Sequence, residues 1–196
     1  MTADEHPRLL LIVREWLLPG MEEACAQNES RISATCAELN GPHPYLGLAR
    51  VPERKEIWWL NAFASRDEKD QVEAAYARNE PLIAKLGPLG ARKEGFRNAL
   101  TTTLTESRGG SALRFAGARF FVVRITRGAR ESEGAVFESP LGERFAMASV
   151  DSSPAAEETA VRFGPGSAIL AVKPEWSFPA KAWIAADPEF WSSHRA

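Results

Sequence analysis

The chain has 196 residues, enough to bury a substantial core as one domain or as two small, tightly packed ones. Its 44% apolar and 26% charged residues are ordinary for a globular protein, and a net charge of −2 with a pI of about 6.0 argues against a dedicated nucleic-acid surface. No apolar run approaches the roughly 18 residues that cross a bilayer, and the polar start Met1–Arg8 does not resemble a secretory signal, so a cytoplasmic protein without nucleic-acid or membrane partners is expected.

In chain order, Leu9 to Trp16 reads as a strand closed by Leu18-Pro19-Gly20. Met21 to Leu39 has helical periodicity, with Met21, Cys25, Ile32, Cys36 and Leu39 on one stripe and Asn28 in its middle. Cys25 and Cys36 share that face about 16 Å apart along the axis, beyond disulfide reach, which makes them small buried apolar residues in a reducing compartment. Asn40-Gly41-Pro42 stops the helix. Pro44–Val51 and Glu56–Phe63 form a hairpin around Pro52-Glu53-Arg54-Lys55.

Ser65 and Glu68 then supply a capping box. The helix behind it is divided at Pro81 and broken by Gly87, Pro88 and Gly90. Ala99 to Thr105 is Thr-rich and can form a strand. From Arg119 the pattern restarts: Phe120-Phe121-Val122-Val123-Arg124 repeats Leu10-Leu11-Ile12-Val13-Arg14, and Phe145 to Val150 repeats Ile57 to Phe63. Between them there is room for a hairpin (Ala135–Ser139, Glu143–Val150) but not for a counterpart of the first helix. A helix from Ser153-Pro154 to about Phe163, a strand from Ser167 to Lys173 and a tail with Trp176, Trp183 and Trp191 complete the chain.

The first half therefore orders its elements β-α-β-β-α-β, the split pattern of ferredoxin-like domains. The expected fold is α+β: two ferredoxin-like halves with antiparallel sheets packed face to face, the second half abridged. The expected boundaries are 1–95 and 118–196, joined by 96–117. On these residues the chain resembles the dimeric α/β-barrel superfamily. Leu10–Trp16, Pro42-His43-Pro44-Tyr45, Trp58-Trp59-Leu60-Asn61 and Tyr76-Ala77-Arg78-Asn79 resemble NIPSNAP-type and antibiotic-biosynthesis-monooxygenase-type domains over about residues 8–95. Only the internal repeat extends the likeness to about 118–173. The resemblance implies a tandem pseudo-dimer and no single activity, since the superfamily mixes enzymes and non-enzymes.

Strand parity makes the arrangement testable. Aligning the repeats on their arginines places Leu9, Leu11 and Val13, their counterparts Phe121, Val123 and Ile125, and Trp58, Leu60, Phe145 and Met147 under the helices. Arg14, Trp16, Trp59, Asn61 and Arg124 then face the space between the sheets. There Arg14 and Arg124 can bind one anion bidentately, or each can simply pair with a nearby Glu such as Glu15 or Glu138. His43, rigid between two prolines, can serve as a general base or be a structural turn residue. Tyr45, Trp58 and Trp59 can line an aromatic-substrate cavity or fill core. Asn28 on an apolar helix face needs partners, either backbone or a ligand. The resemblance adds that some monooxygenases of the superfamily hold substrate with an Asn and a Trp, although neither residue here sits in a matching motif.

No metal-spaced Cys/His cluster, phosphate-binding or dinucleotide-binding glycine motif or nucleophile elbow occurs. Haem is disfavoured because His6 and His194 lie in the tails and His43 in a turn. The expectation is a protein without metal or cofactor that binds a small aromatic or anionic molecule. Two alternatives are a cofactor-independent monooxygenase or isomerase, and an interaction module whose aromatic tail docks on a partner or on a second copy in a homodimer.

Overall fold

The computed structural model describes residues 7–53, 55–128 and 133–192; Arg54, His6 and His194 lie outside them. Eight strands form one closed antiparallel barrel: β1 (Leu9–Leu17), β2 (Leu46–Val51), β3 (Glu56–Phe63), β4 (Arg97–Gly110), β5 (Phe120–Arg127), β6 (Ala135–Glu138), β7 (Glu143–Val150) and β8 (Ala168–Val172). The order around it is β1-β3-β2-β8-β5-β7-β6-β4. The first four strands thus neighbour one another as β4-β1-β3-β2 and the last four as β8-β5-β7-β6, the same order within each set. The seams between the sets are β2–β8, pairing Leu48 with Val172, and β4–β6, pairing Glu106 with Glu138. Closure leaves the sheet without edges. Most of the stretch 96–117 between the repeats is β4, which runs the full length of β1.

The first strand set is covered by α1 (Glu22–Glu38), α2 (Arg66–Arg78) and α3 (Glu80–Lys93), and the second, among the described residues, by α4 (Ser153–Phe163). Between β5 and β6 the described residues contain no helix. Ser65 caps α2, its side chain accepting from Glu68 N, and Asn79 and Pro81 start α3. Contrary to the break expected at Gly87-Pro88-Gly90, α3 continues to Lys93 with Pro88 inside it. Tertiary contacts outweigh these local breakers: Asn28 of α1 donates to Leu89 O, and Lys93 is held by Glu15 and Glu29.

The faces of β1 are the expected ones, and those of β3, β5 and β7 are reversed. Leu10, Ile12, Trp58, Leu60, Phe121, Val123, Phe145 and Met147 fill the barrel interior as one buried cluster. Val13 lies under α1 and α3 as expected, with Cys25, Cys36 and Leu82, but Trp59 joins it there, and Val122 and Ala146 lie under α4. Val13 is opposite Trp59 and Arg14 opposite Trp58, whereas Ile125 is opposite Phe145. Structurally, then, Arg14 corresponds to Ile125, and the repeat is offset by one residue from the arginine alignment. With a side-chain period of two, that slip turns Phe121, Val123 and Ile125 toward the interior and Arg124 toward α4.

One mouth of the barrel, where β4 and β8 end and β1 and β5 begin, is stopped by Leu113, Phe115, Ala118, Trp183 and Trp191, which belong to the interior cluster. The last two come from α5 (Lys181–Ala186) and α6 (Pro188–Ser192). Ahead of them Phe178 bridges to Tyr45, and Ser177 Oγ accepts from Gly47 N at 3.0 Å. All three tail tryptophans are buried in their own chain, so the tail closes this molecule rather than presenting an aromatic surface. Gly47 is required beneath it, since a Cβ there would lie 2.8 Å from both Trp176 Cβ and Trp59 Cζ3. Gly47→Ala is expected to lower stability by about 1–3 kcal/mol through overpacking; an unchanged unfolding midpoint in a urea titration would contradict this.

Candidate functional site

The nine residues singled out from the sequence fall in three places. Arg14, Trp16 and Trp58 meet at the open mouth of the barrel. Asn28, Tyr45 and Trp59 share the helix-covered layer, and Asn61 alternates with Trp59 on that face of β3. His43, also buried, stacks on Phe63 at the end of the same strand, with ring centroids 4.5 Å apart. Arg124 stands apart: it lies under α4 and donates to Phe163 O at 2.8 Å, covering the last carbonyl of that helix. The anion clamp of Arg14 with Arg124 is therefore not assembled, because the one-residue offset puts the two on opposite faces of the sheet.

At the open mouth the partner of Arg14 is Glu56, which the sequence reading had left unassigned. Arg14 donates to Glu56 Oε1 through Nε (3.2 Å) and Nη2 (2.8 Å). Trp58 Nε1 donates to the same oxygen at 3.1 Å, and Arg50 Nη1 donates to Oε2 at 2.9 Å. Burial pushes the Glu56 carboxyl up, but hydrogen bonds and charge from Arg14 and Arg50 outweigh it and hold the group below the ordinary carboxylate value of 4.5. The Arg14 guanidinium is further fixed between aromatic faces, 4.7 Å from the Trp16 ring and 4.8 Å from Trp58.

The helix-covered layer of the first half carries more buried polarity than a helix–sheet core usually does. Lys93 Nζ lies 2.8 Å from Glu15 Oε1, 3.1 Å from Glu29 Oε1 and 4.5 Å from the centre of the Trp59 ring. Arg97 adds a contact to Glu15 at 3.2 Å. Glu15 and Glu29 are 2% and 1% exposed, while Lys93 and Arg97 reach solvent at the edge of the layer. Burial raises the Glu29 carboxyl above its ordinary value, and Lys93 only partly opposes this. Cys25, which points its thiol at Glu29 (3.9 Å), is pushed up to about 12 by burial and so is no thiolate nucleophile.

Asn28 Nδ2 donates to Leu89 O at 3.1 Å, but its Oδ1 has no hydrogen-bond partner, and neither has the buried Nε1 of Trp59. Asn28 Oδ1 and Trp59 Nε1 are thus left open in the same layer as a buried acid–ammonium pair, as are Tyr45 Oη and Trp176 Nε1. Glu29 escaped the sequence reading, and Glu15 entered it only as a candidate partner for Arg14 or Arg124, whereas it pairs with Lys93 and Arg97. The available signal was parity: Glu15 alternates with Val13, and Glu29 follows Cys25 by one helical turn.

No protein-family model and no curated protein matches the sequence. Among solved structures, a protein provisionally named a monooxygenase, from Fusobacterium nucleatum subsp. nucleatum ATCC 25586, is similar at a TM-score of 0.56 and 6% identity, over 85% of this chain and 93% of that one. An anthrone oxidase-like protein is similar at a TM-score of 0.52 and 11% identity, over 92% and 97% of the two chains. The chain has the dimeric α/β-barrel fold. At such identities the likeness concerns the fold, and the chemistry of this barrel has to be argued from its own residues. Among the described residues no helix is long and apolar enough to cross a membrane.

Proposed function

We propose that this chain, a tandem of two ferredoxin-like units with the second abridged, binds a small aromatic molecule in the helix-covered layer of its first half. The observation that carries the reading is the open pair of buried polar atoms, Asn28 Oδ1 and Trp59 Nε1. Each costs on the order of 1–3 kcal/mol while unpaired, and an aromatic ligand bearing a hydroxyl or carbonyl group would satisfy both. Tyr45, edge-on to Trp59 at 6.1 Å, supplies an apolar wall, and the solvent edge at Lys93 and Arg97 supplies the entry.

A second reading, oxidation of that molecule by dioxygen without a cofactor, is favoured by Glu29. A buried carboxylate of raised proton affinity is a stronger base than an exposed one. Beside the Lys93 ammonium it is placed to take a proton from a phenol or an acidic ring carbon, giving an anion that dioxygen can oxidise directly. The barrel shared with a provisionally named monooxygenase and an anthrone oxidase-like protein supports this class.

The test uses the intact protein with 1-naphthol and anthrone, following tryptophan fluorescence and oxygen uptake. Asn28→Ala and Trp59→Phe are expected to weaken binding by about tenfold, the loss of one or two hydrogen bonds. Glu29→Gln is expected to keep binding and abolish oxygen uptake. Because the folded Glu29 pKa is raised, its favourable contribution is complete below about 4.5 and is lost as pH rises through the folded value. Glu29→Gln should therefore gain stability relative to the parent as pH increases. Binding unaffected by either layer variant would reject the site, and oxygen uptake surviving in Glu29→Gln would reject the base.

A further inference from the structure

We infer that the open mouth of the barrel is a separate binding site for a short-chain monocarboxylate, held by Arg14 and Arg50. The site is independent of the helix-covered layer, from which the sheet separates it. A recess of about 110 Å3 lies at this mouth, lined by Arg14, Arg50, Glu56 and Trp58 from the first strand set and by Ile125 and Ala168, among others, from the second. It exists only because the two sets close on each other.

Charge and shape select the ligand class. Two guanidiniums against one carboxylate leave the recess with one positive charge. Glu56 uses Nε and Nη2 of Arg14 and Nη1 of Arg50, so Arg14 Nη1 and Arg50 Nη2 have no acceptor among the described residues. Guanidinium edges of this kind match a carboxylate. The Glu56 charge, locked in place by its four hydrogen bonds, opposes a dianion such as phosphate. The opposite wall, with Val123, Ile125 and Ala168, is apolar and receives a short hydrocarbon tail. A recess of about 110 Å3 suits a short acid such as acetate to butyrate and is too small to enclose a fatty-acid chain. Arg14, clamped between two indoles, is preorganised and loses little freedom on binding.

The experiment is a calorimetric titration of the full chain with sodium propionate at constant ionic strength, with chloride and phosphate as controls. Saturable binding at one site per chain is expected, with propionate at least tenfold tighter than either control. Arg50→Ala is expected to weaken propionate at least tenfold, and Ala168→Leu, which fills the recess while leaving every charge in place, to abolish it. Non-saturable heats, a preference for phosphate, or unchanged affinity in Ala168→Leu would overturn the proposal. Should Arg50→Ala unfold, Ala168→Leu alone decides. 1-Naphthol binding at the helix-covered layer should persist in Ala168→Leu, which separates the two sites.

Discussion

Trp183→Ala is expected to lower stability by about 3–5 kcal/mol, the range for deleting a large aromatic side chain from a core. The indole is 1% exposed, stacks on Phe115 at 5.4 Å and 19°, and belongs to the cluster that fills the barrel. Removing it exposes Phe115, Phe121 and the interior leucines to the end of the molecule. The α5–α6 segment then keeps Trp191, with Ile184 and Phe190 packed on the same cluster, and the Arg119–Asp187 ion pair at 2.8 Å, a near-surface contact worth about 1 kcal/mol or less. Trp183→Phe should cost much less, because Nε1 of the indole is buried without a partner and its loss relieves a desolvation penalty. For a chain of this length each kcal/mol moves the midpoint by about 2–4 °C, so calorimetry should show the Ala variant melting roughly 6–20 °C lower. A shift below 3 °C would mean that the tail does not stopper the barrel.

The second large effect belongs to Glu56. Truncation to Ala leaves Arg14 and Trp58 Nε1, both largely buried, without their acceptor, and about 3 kcal/mol should be lost at neutral pH. Glu56→Gln keeps the shape but not the charge and isolates the ionic part. The Glu56 pKa is lowered in the folded state, so its stabilisation is present above about 4.5 and disappears as pH falls through the folded value. The parent and Glu56→Gln should therefore differ at pH 7 and converge in acid, the opposite trend to Glu29→Gln. Chemical denaturation at pH 3, 5 and 7 distinguishes the two; a constant gap across that range would show that the arginines do not set the Glu56 proton affinity.

The strands, helix caps and barrel class were legible because period, capping boxes and turn residues are local signals. β3, β7 and α4 have the bounds expected from Glu56, Glu143 and Ser153. The faces were legible on β1 but not on β3, β5 and β7, because strands apolar at both parities fix no register between the repeats. The match of Arg14 with Arg124 then supplied the wrong one for β5. The site at the mouth depends on register as well: Glu56 reads as the first residue of a strand, and only the pairing of β3 with β1 brings it beside Arg14. The buried pair of Glu15 and Glu29 needs the docking of α3 on α1, which glycines and a proline within α3 concealed.

Both seams that close the barrel join strands far apart along one polypeptide: β2 meets β8, and β4 meets β6. Joining them is an intramolecular event, so dilution cannot pull the two strand sets apart and the refolding rate should not depend on protein concentration. The β2–β8 seam must also wait until Val172 has been synthesised, about 120 residues after β2. High contact order of this kind slows folding, and until that ladder forms, the borders of β2 and β8 are the surfaces most open to pairing with the wrong molecule.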